Sequence, residues 1–157
     1  MKNKVYPQIL VFSCNWNGWS CIEAVTNMGL NYPASIKIIQ VNCLSRVHIG
    51  LILRAFDLGA EGVMLLGCEP GKCRFCNDSK YITCEYNKTK DILEMLGIWK
   101  NRLILVQLPA FDGNQFVTEI FKLVTEIEQI PASRRSKIVG SGTARDIYIQ
   151  PWHQNDI

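Results

Sequence analysis

The sequence predicts an α/β fold: a three-layer, flavodoxin-like or Rossmann-like domain with a parallel sheet of about four strands and an irregular C-terminal tail. Three observations lead there. Short apolar runs alternate with longer stretches of helical period, in the order β-α-β-α-β-α-β-α. Glycine or proline punctuates the joints, notably Gly29, Gly59, Gly97 and Pro131. Finally, Cys14, Cys43 and Cys68 each fall where an apolar run stops, the place at which open α/β sheets carry ligands.

Residues 7–13, rich in Ile, Leu, Val and Phe, read as a buried strand, followed by a loop with Asn15, Asn17 and Gly18. A helix begins near Ser20, presents Ile22, Ala24, Val25 and Met28, and stops at Gly29. Residues 36–41 form the second strand. A helix over 47–58 carries Ile49, Ile52, Leu53 and Phe56, and the third strand, 62–66, follows almost at once. After a cysteine-rich loop come a helix at 79–96, a fourth strand at 102–108 and a last helix at 113–129 with Phe116, Ile120, Leu123, Val124 and Ile127 on one face. A strand order of 2-1-3-4 would set the first three strands side by side at about 4.8 Å spacing. Their terminal loops would then share one small site.

The chain of 157 residues suits one core, with an α/β domain at 1–130 and a tail at 131–157 that lacks a sustained apolar period. No secretory segment opens it, and no run approaches the roughly 18 apolar residues of a membrane span. The expectation is a soluble, cytoplasmic protein. In a reducing compartment clustered cysteines serve as metal ligands or redox thiols more often than as disulfides, and here seven cysteines are the compositional anomaly. A net charge of +3 with interspersed signs gives no reason to expect nucleic acid.

Four cysteines on three loops, Cys14, Cys43, Cys68 and Cys73, are the candidate metal ligands. The loop Gly67-Cys68-Glu69-Pro70-Gly71-Lys72-Cys73-Arg74-Phe75-Cys76 permits a tight path whose N–H groups turn toward sulfur. Four thiolates complete either a 2Fe-2S or a 4Fe-4S unit. Cys21, Cys76 and Cys84 are possible alternates. Two rival chemistries share these residues: Cys73 and Cys76 form a C-x-x-C that could act as a dithiol oxidoreductase, or supply half of a zinc staple in a protein-interaction module. Any one cysteine alone would read as a small buried apolar side chain; their coincidence at strand ends argues otherwise. His48 and His153 are isolated and read as structural. The loop does not match G-x-x-x-x-G-K-[ST], since Cys73 replaces Ser/Thr, and no G-x-G-x-x-G is present, so neither an NTPase nor a dinucleotide site is expected. Arg46, Lys72 and Arg74 either are solvated or stabilise an anionic centre or acidic partner. Trp16 and Trp19 read as packing that shields the site or as partner contacts.

Taken together, Cys14-Asn15-Trp16, Val41-Asn42-Cys43-Leu44-Ser45-Arg46, Gly59-Ala60-Glu61-Gly62-Val63 and Gly67-Cys68-Glu69-Pro70-Gly71-Lys72-Cys73 resemble one family over about residues 6–130: the iron-sulfur delta subunit of the methyl-viologen-reducing hydrogenase. The resemblance implies a 2Fe-2S cluster on Cys14, Cys43, Cys68 and Cys73. It implies an electron relay between a hydrogenase or formate dehydrogenase and the flavoprotein subunit of heterodisulfide reductase, with no catalytic residues of its own. This chain departs from the family pattern in two places. Asn17 stands where a second cysteine is usual, and Glu69, Lys72 and Arg74 replace the residues of Gly-Cys-His-x-Gly-Asp-Cys-His.

Overall fold

A computed structural model describes residues 6–75 and 79–135. Four strands, β1 (Ile9–Cys14), β2 (Ile36–Val41), β3 (Gly62–Cys68) and β4 (Leu103–Leu108), alternate with helices α1 (Asn17–Asn27), α2 (Ile49–Asp57), α3 (Ser79–Met95) and α4 (Gly113–Glu128), and a single turn, α5 (Ala132–Arg135), follows. The sheet is wholly parallel in the order β2-β1-β3-β4, as the sequence predicts. Parallel neighbours need long crossovers, and each crossover here carries a helix that covers a face.

The two faces are two separate apolar layers. Ile9, Val11, Met64, Leu66 and Val106 meet Ile22 and Val25 of α1 and Phe116, Ile120 and Leu123 of α4. Phe12, Val63, Leu65 and Leu103 meet Ile52 and Phe56 of α2 and Ile82 and Leu93 of α3. Strand alternation sorts these side chains between the layers. β3 is buried along its whole length because it is central and covered on both sides; β2, at an edge, is largely exposed.

Boundaries shift by a few residues. α1 opens at Asn17 rather than near Ser20, and β1 and β3 run on to include Cys14 and Cys68. Asp112 caps α4, its side chain accepting the Gln115 N–H at 3.0 Å. α4 also starts close against α1: a Cβ at Gly113 would lie 2.9 Å from the Val25 nitrogen. Of the stretch 131–157, residues 136–157 lie outside the described residues. α5 at its start is tied to α4, Arg135 donating to the carbonyls of Ile130 and Glu128 at 2.6 and 2.7 Å.

Arg102, which the sequence pattern assigns to the fourth strand, instead closes a one-turn 3₁₀ helix (Lys100–Arg102) before β4. It is only 2% exposed. Its guanidinium donates to the carbonyls of Glu61 (2.6 Å) and Ala60 (3.0 Å) and lies 4.9 Å from the ring centre of Phe56. Burial lowers its pKa to about 10, so it stays charged at neutral pH, its donors aimed at carbonyls just ahead of β3. Among the described residues no helix is long and apolar enough to cross a membrane.

Candidate metal centre

The carboxyl ends of β1 and β3 mark the point where the chain, having gone one way to β2, crosses back to β3, the switch point of a doubly wound sheet. β1 ends on Cys14 and β3 on Cys68. Ser13 is registered against Leu66, which sets Cys14 level with Gly67. A Cβ on Gly67 would lie 2.6 Å from Leu44 Cδ1, so glycine leaves room for Leu44 to pack over the site. Cys43 precedes a 3₁₀ turn (Leu44–Arg46), and its carbonyl accepts the Arg46 N–H at 3.0 Å. Cys73 follows a turn in which the Lys72 N–H meets the Glu69 carbonyl at 3.0 Å. Gly71 bends that turn at φ +76°, a conformation that favours glycine.

These four thiols gather at one cavity, lined also by Leu44, Glu69, Ile82 and Gln107. They do so as two pairs: Cys14 Sγ lies 3.6 Å from Cys68 Sγ, and Cys43 Sγ lies 3.7 Å from Cys73 Sγ. None is in a disulfide. Cys14, Cys43 and Cys68 are buried, whereas Cys73 reaches partly to solvent. Among the described residues no three His, Cys, Asp or Glu side chains converge on a single point; the arrangement is two twos rather than one four.

α1 aims its first turn at the inner pair. No side chain caps its N-terminus, and a leading N–H group that a cap would satisfy meets sulfur instead. The Gly18 N–H donates to Cys14 Sγ at 3.2 Å. Burial pushes the Cys68 thiol up to about 12; the Asn17 backbone opposes that rise, while Cys14 and Cys73 add to it. The Asn17 side chain donates to the Leu108 carbonyl at 3.2 Å, pinning the start of α1 to the end of β4. Gln107 does the same for β3, donating to the Cys68 carbonyl at 3.2 Å. Gly18 has no space for a side chain: a Cβ would sit 2.7 Å from the Leu66 carbonyl and 2.8 Å from Ser13 Oγ.

At the rim, Trp16 meets the two residues that follow Cys73. The Arg74 guanidinium stands 4.7 Å from one Trp16 ring centre, and Phe75 packs at 5.9 Å. Trp16 itself is exposed and does not line the four-thiol cavity, while Trp19 packs on the α1–α4 layer and donates to Glu23. Cys21 is buried in that layer too, its thiol 3.2 Å from the Pro109 carbonyl. Cys84 is exposed on α3 beside Lys80 and Lys88. Neither lines the four-thiol cavity. Cys76 and His153 lie outside the described residues, and His48 precedes α2 at the surface. Sequence reasoning does not single out Asn17, Gly18 and Gln107 as site residues. The asparagine-glycine step after Cys14 is their one visible signal.

Fold and site together define a doubly wound parallel α/β domain with four cysteines at its switch point. The family model for the methyl-viologen-reducing hydrogenase delta subunit matches residues 9–131, and the chain belongs to that family. It is 34% identical over 110 residues to the iron-sulfur subunit of the vhc F420-non-reducing hydrogenase of Methanococcus voltae, covering 70% of this chain and 76% of that one. The corresponding iron-sulfur subunit of the vhu F420-non-reducing hydrogenase of Methanocaldococcus jannaschii is 26% identical over 79% of this chain and 92% of its own. A segment of one large chain of the ferredoxin:CoB-CoM heterodisulfide reductase of Methanosarcina mazei is 27% identical over 79% of this chain; the match spans only 16% of that larger protein.

Proposed function

We propose that this chain is a one-electron relay that holds a 2Fe-2S cluster on Cys14, Cys43, Cys68 and Cys73. The observation that carries the proposal is the pairing of the thiols. A metal ion bound tetrahedrally at about 2.3 Å from sulfur holds its thiolates about 3.8 Å apart, close to the 3.6 and 3.7 Å of the two pairs. A 2Fe-2S unit takes two protein thiolates on each iron, so the pairs Cys14–Cys68 and Cys43–Cys73 are its natural donor sets. A 4Fe-4S unit takes one thiolate per iron and has no use for close pairs, and a lone zinc ion needs all its donors about one point. When bound, the cluster would supply a site that accepts and returns a single electron.

The residues around it have matching tasks. Leu44 and Ile82 line the cavity and exclude water, and the Gly18 N–H meets the Cys14 sulfur; both act on reduction potential. Cys73, the most exposed of the four, lies nearest to any partner. The names of the relatives, hydrogenase iron-sulfur subunits and a chain of a heterodisulfide reductase, support a hydrogenase as donor and a heterodisulfide reductase subunit as acceptor; a formate dehydrogenase as alternative donor, and a flavoprotein as the acceptor, rest on the family resemblance alone. Lys72 and Arg74 add positive charge beside Cys73 and would raise the potential relative to a neutral or acidic loop.

Metal analysis and visible spectra of anaerobically purified protein test this reading. Iron and sulfide in the ratio of one 2Fe-2S cluster per chain are expected, with brown colour bleached by dithionite. Cys43→Ser and Cys68→Ser should each remain folded by circular dichroism yet lose most of that iron. Stoichiometric zinc without iron, or full iron content in both variants, would refute the assignment.

A further inference from the structure

The two thiol pairs differ in their surroundings. Cys14 receives the Gly18 backbone N–H at 3.2 Å, at the positive end of an 11-residue helix with no acidic residue in its first turn. No hydrogen bond from a backbone N–H to the sulfurs of Cys43 or Cys73 is found among the described residues. A helix N-terminus stabilises negative charge within its first turn, and N–H groups directed at sulfur stabilise the more electron-rich state of an iron-sulfur unit.

We infer that α1 makes the cluster asymmetric, so that the electron taken up on reduction resides on the iron held by Cys14 and Cys68 rather than on the one held by Cys43 and Cys73. The inference rests on the 2Fe-2S reading above. On reduction, one electron from the donor partner, or from dithionite in vitro, would take one iron from ferric to ferrous with no bond made or broken. Cys73, the one thiol of the four that reaches partly to solvent, would put its pair nearer a partner, with the electron held on the other. Gly18 is the residue that permits this. Only a residue without a Cβ lets the turn come this close, given the 2.7 Å that would separate that atom from the Leu66 carbonyl, and Asn17 locks the turn in place through Leu108.

The test is proton NMR of the dithionite-reduced full-length protein with hyperfine-shifted cysteine β-protons assigned residue by residue. Protons on ferrous and ferric ligands of a reduced, antiferromagnetically coupled pair move in opposite directions with temperature. The expected result is the ferrous pattern on Cys14 and Cys68 and the ferric pattern on Cys43 and Cys73. The reverse assignment, or one common pattern on all four, overturns the inference while leaving the cluster intact. Protein that binds no iron and sulfide overturns the relay reading as well. A Gly18→Ala variant that retains the cluster should be harder to reduce, with a smaller reduced fraction at a fixed dithionite or redox-dye poise; an unchanged fraction counts against the role of α1.

Discussion

At the scale of single residues, the site is a contrast between cysteines of one chemical type in different surroundings. Cys68 is buried beside Cys14, and desolvation raises its pKa to about 12; Cys84 stands exposed on α3. Alkylation depends on thiolate and on access. In metal-free protein at pH 8, iodoacetamide should modify Cys84 more than about tenfold faster than Cys68. Peptide mass mapping over time checks the order, and equal rates at the two positions would contradict that burial. The direction with pH also follows. A raised thiol pKa leaves Cys68 protonated through the neutral range, so its alkylation should accelerate up to about pH 12 rather than level off near the ordinary thiol value. The departures at Asn17, Lys72 and Arg74 belong to this scale too. The Asn17 side chain is engaged with the Leu108 carbonyl, so the position where the resemblance implies a second cysteine contributes backbone and scaffold rather than a thiolate.

At the scale of elements, the helices do more than cover the sheet. α1 turns the absence of an N-terminal side-chain cap into a use, because its open Gly18 N–H meets the Cys14 thiol. At the opposite end of the sheet, Arg102 satisfies the carbonyls of Ala60 and Glu61, where the chain enters β3. Removing it leaves two carbonyls without that partner and a void over Phe56. Arg102→Ala is therefore expected to lower the unfolding free energy by about 3–4 kcal/mol, read as a lower urea midpoint at unchanged slope. Because Arg102 lies across the length of the strands from the thiols, residual folded protein should retain its cluster content. A loss below about 1 kcal/mol would show that water replaces the guanidinium without penalty.

At the scale of the whole molecule, the proposed ligands come from three successive βα connections, so a bound cluster would tie β1, β2 and β3 together at one end of the sheet. Anything that binds the folded chain and not the unfolded one raises its stability. Stripping the cluster anaerobically with a chelator should therefore lower Tm by roughly 5–10 °C, and rebuilding it with iron and sulfide should restore the loss. An identical Tm for stripped and rebuilt protein would argue against ligation by three loops. The match of this chain to a segment forming 16% of a heterodisulfide reductase chain fits a domain that can be carried inside a larger chain or beside it.

Much of this architecture is legible in the residues. Strand and helix identity follow from period and from punctuating glycines, because burial imposes a repeat of two on strands and of 3.6 on helices whatever the partner. The strand order β2-β1-β3-β4 is one that the rules of parallel sheets allow, and Cys14, Cys43 and Cys68 stand out by position at strand ends, with Cys73 added from the loop that follows. What the residues alone leave open are matters of distance. Alternation along β3 would put Cys68 with Met64 and Leu66, on the side away from Cys14 and Phe12, yet the two sulfurs come to 3.6 Å because alternation loses its hold at the last residue of a strand. The grouping into two pairs, the burial of Arg102, the separation of Cys21 into the other layer and the N–H contact of Gly18 are decided only by the tertiary structure. Sequence order determines which groups reach the end of the sheet; packing of the helices, through contacts distant in sequence, determines which of them touch.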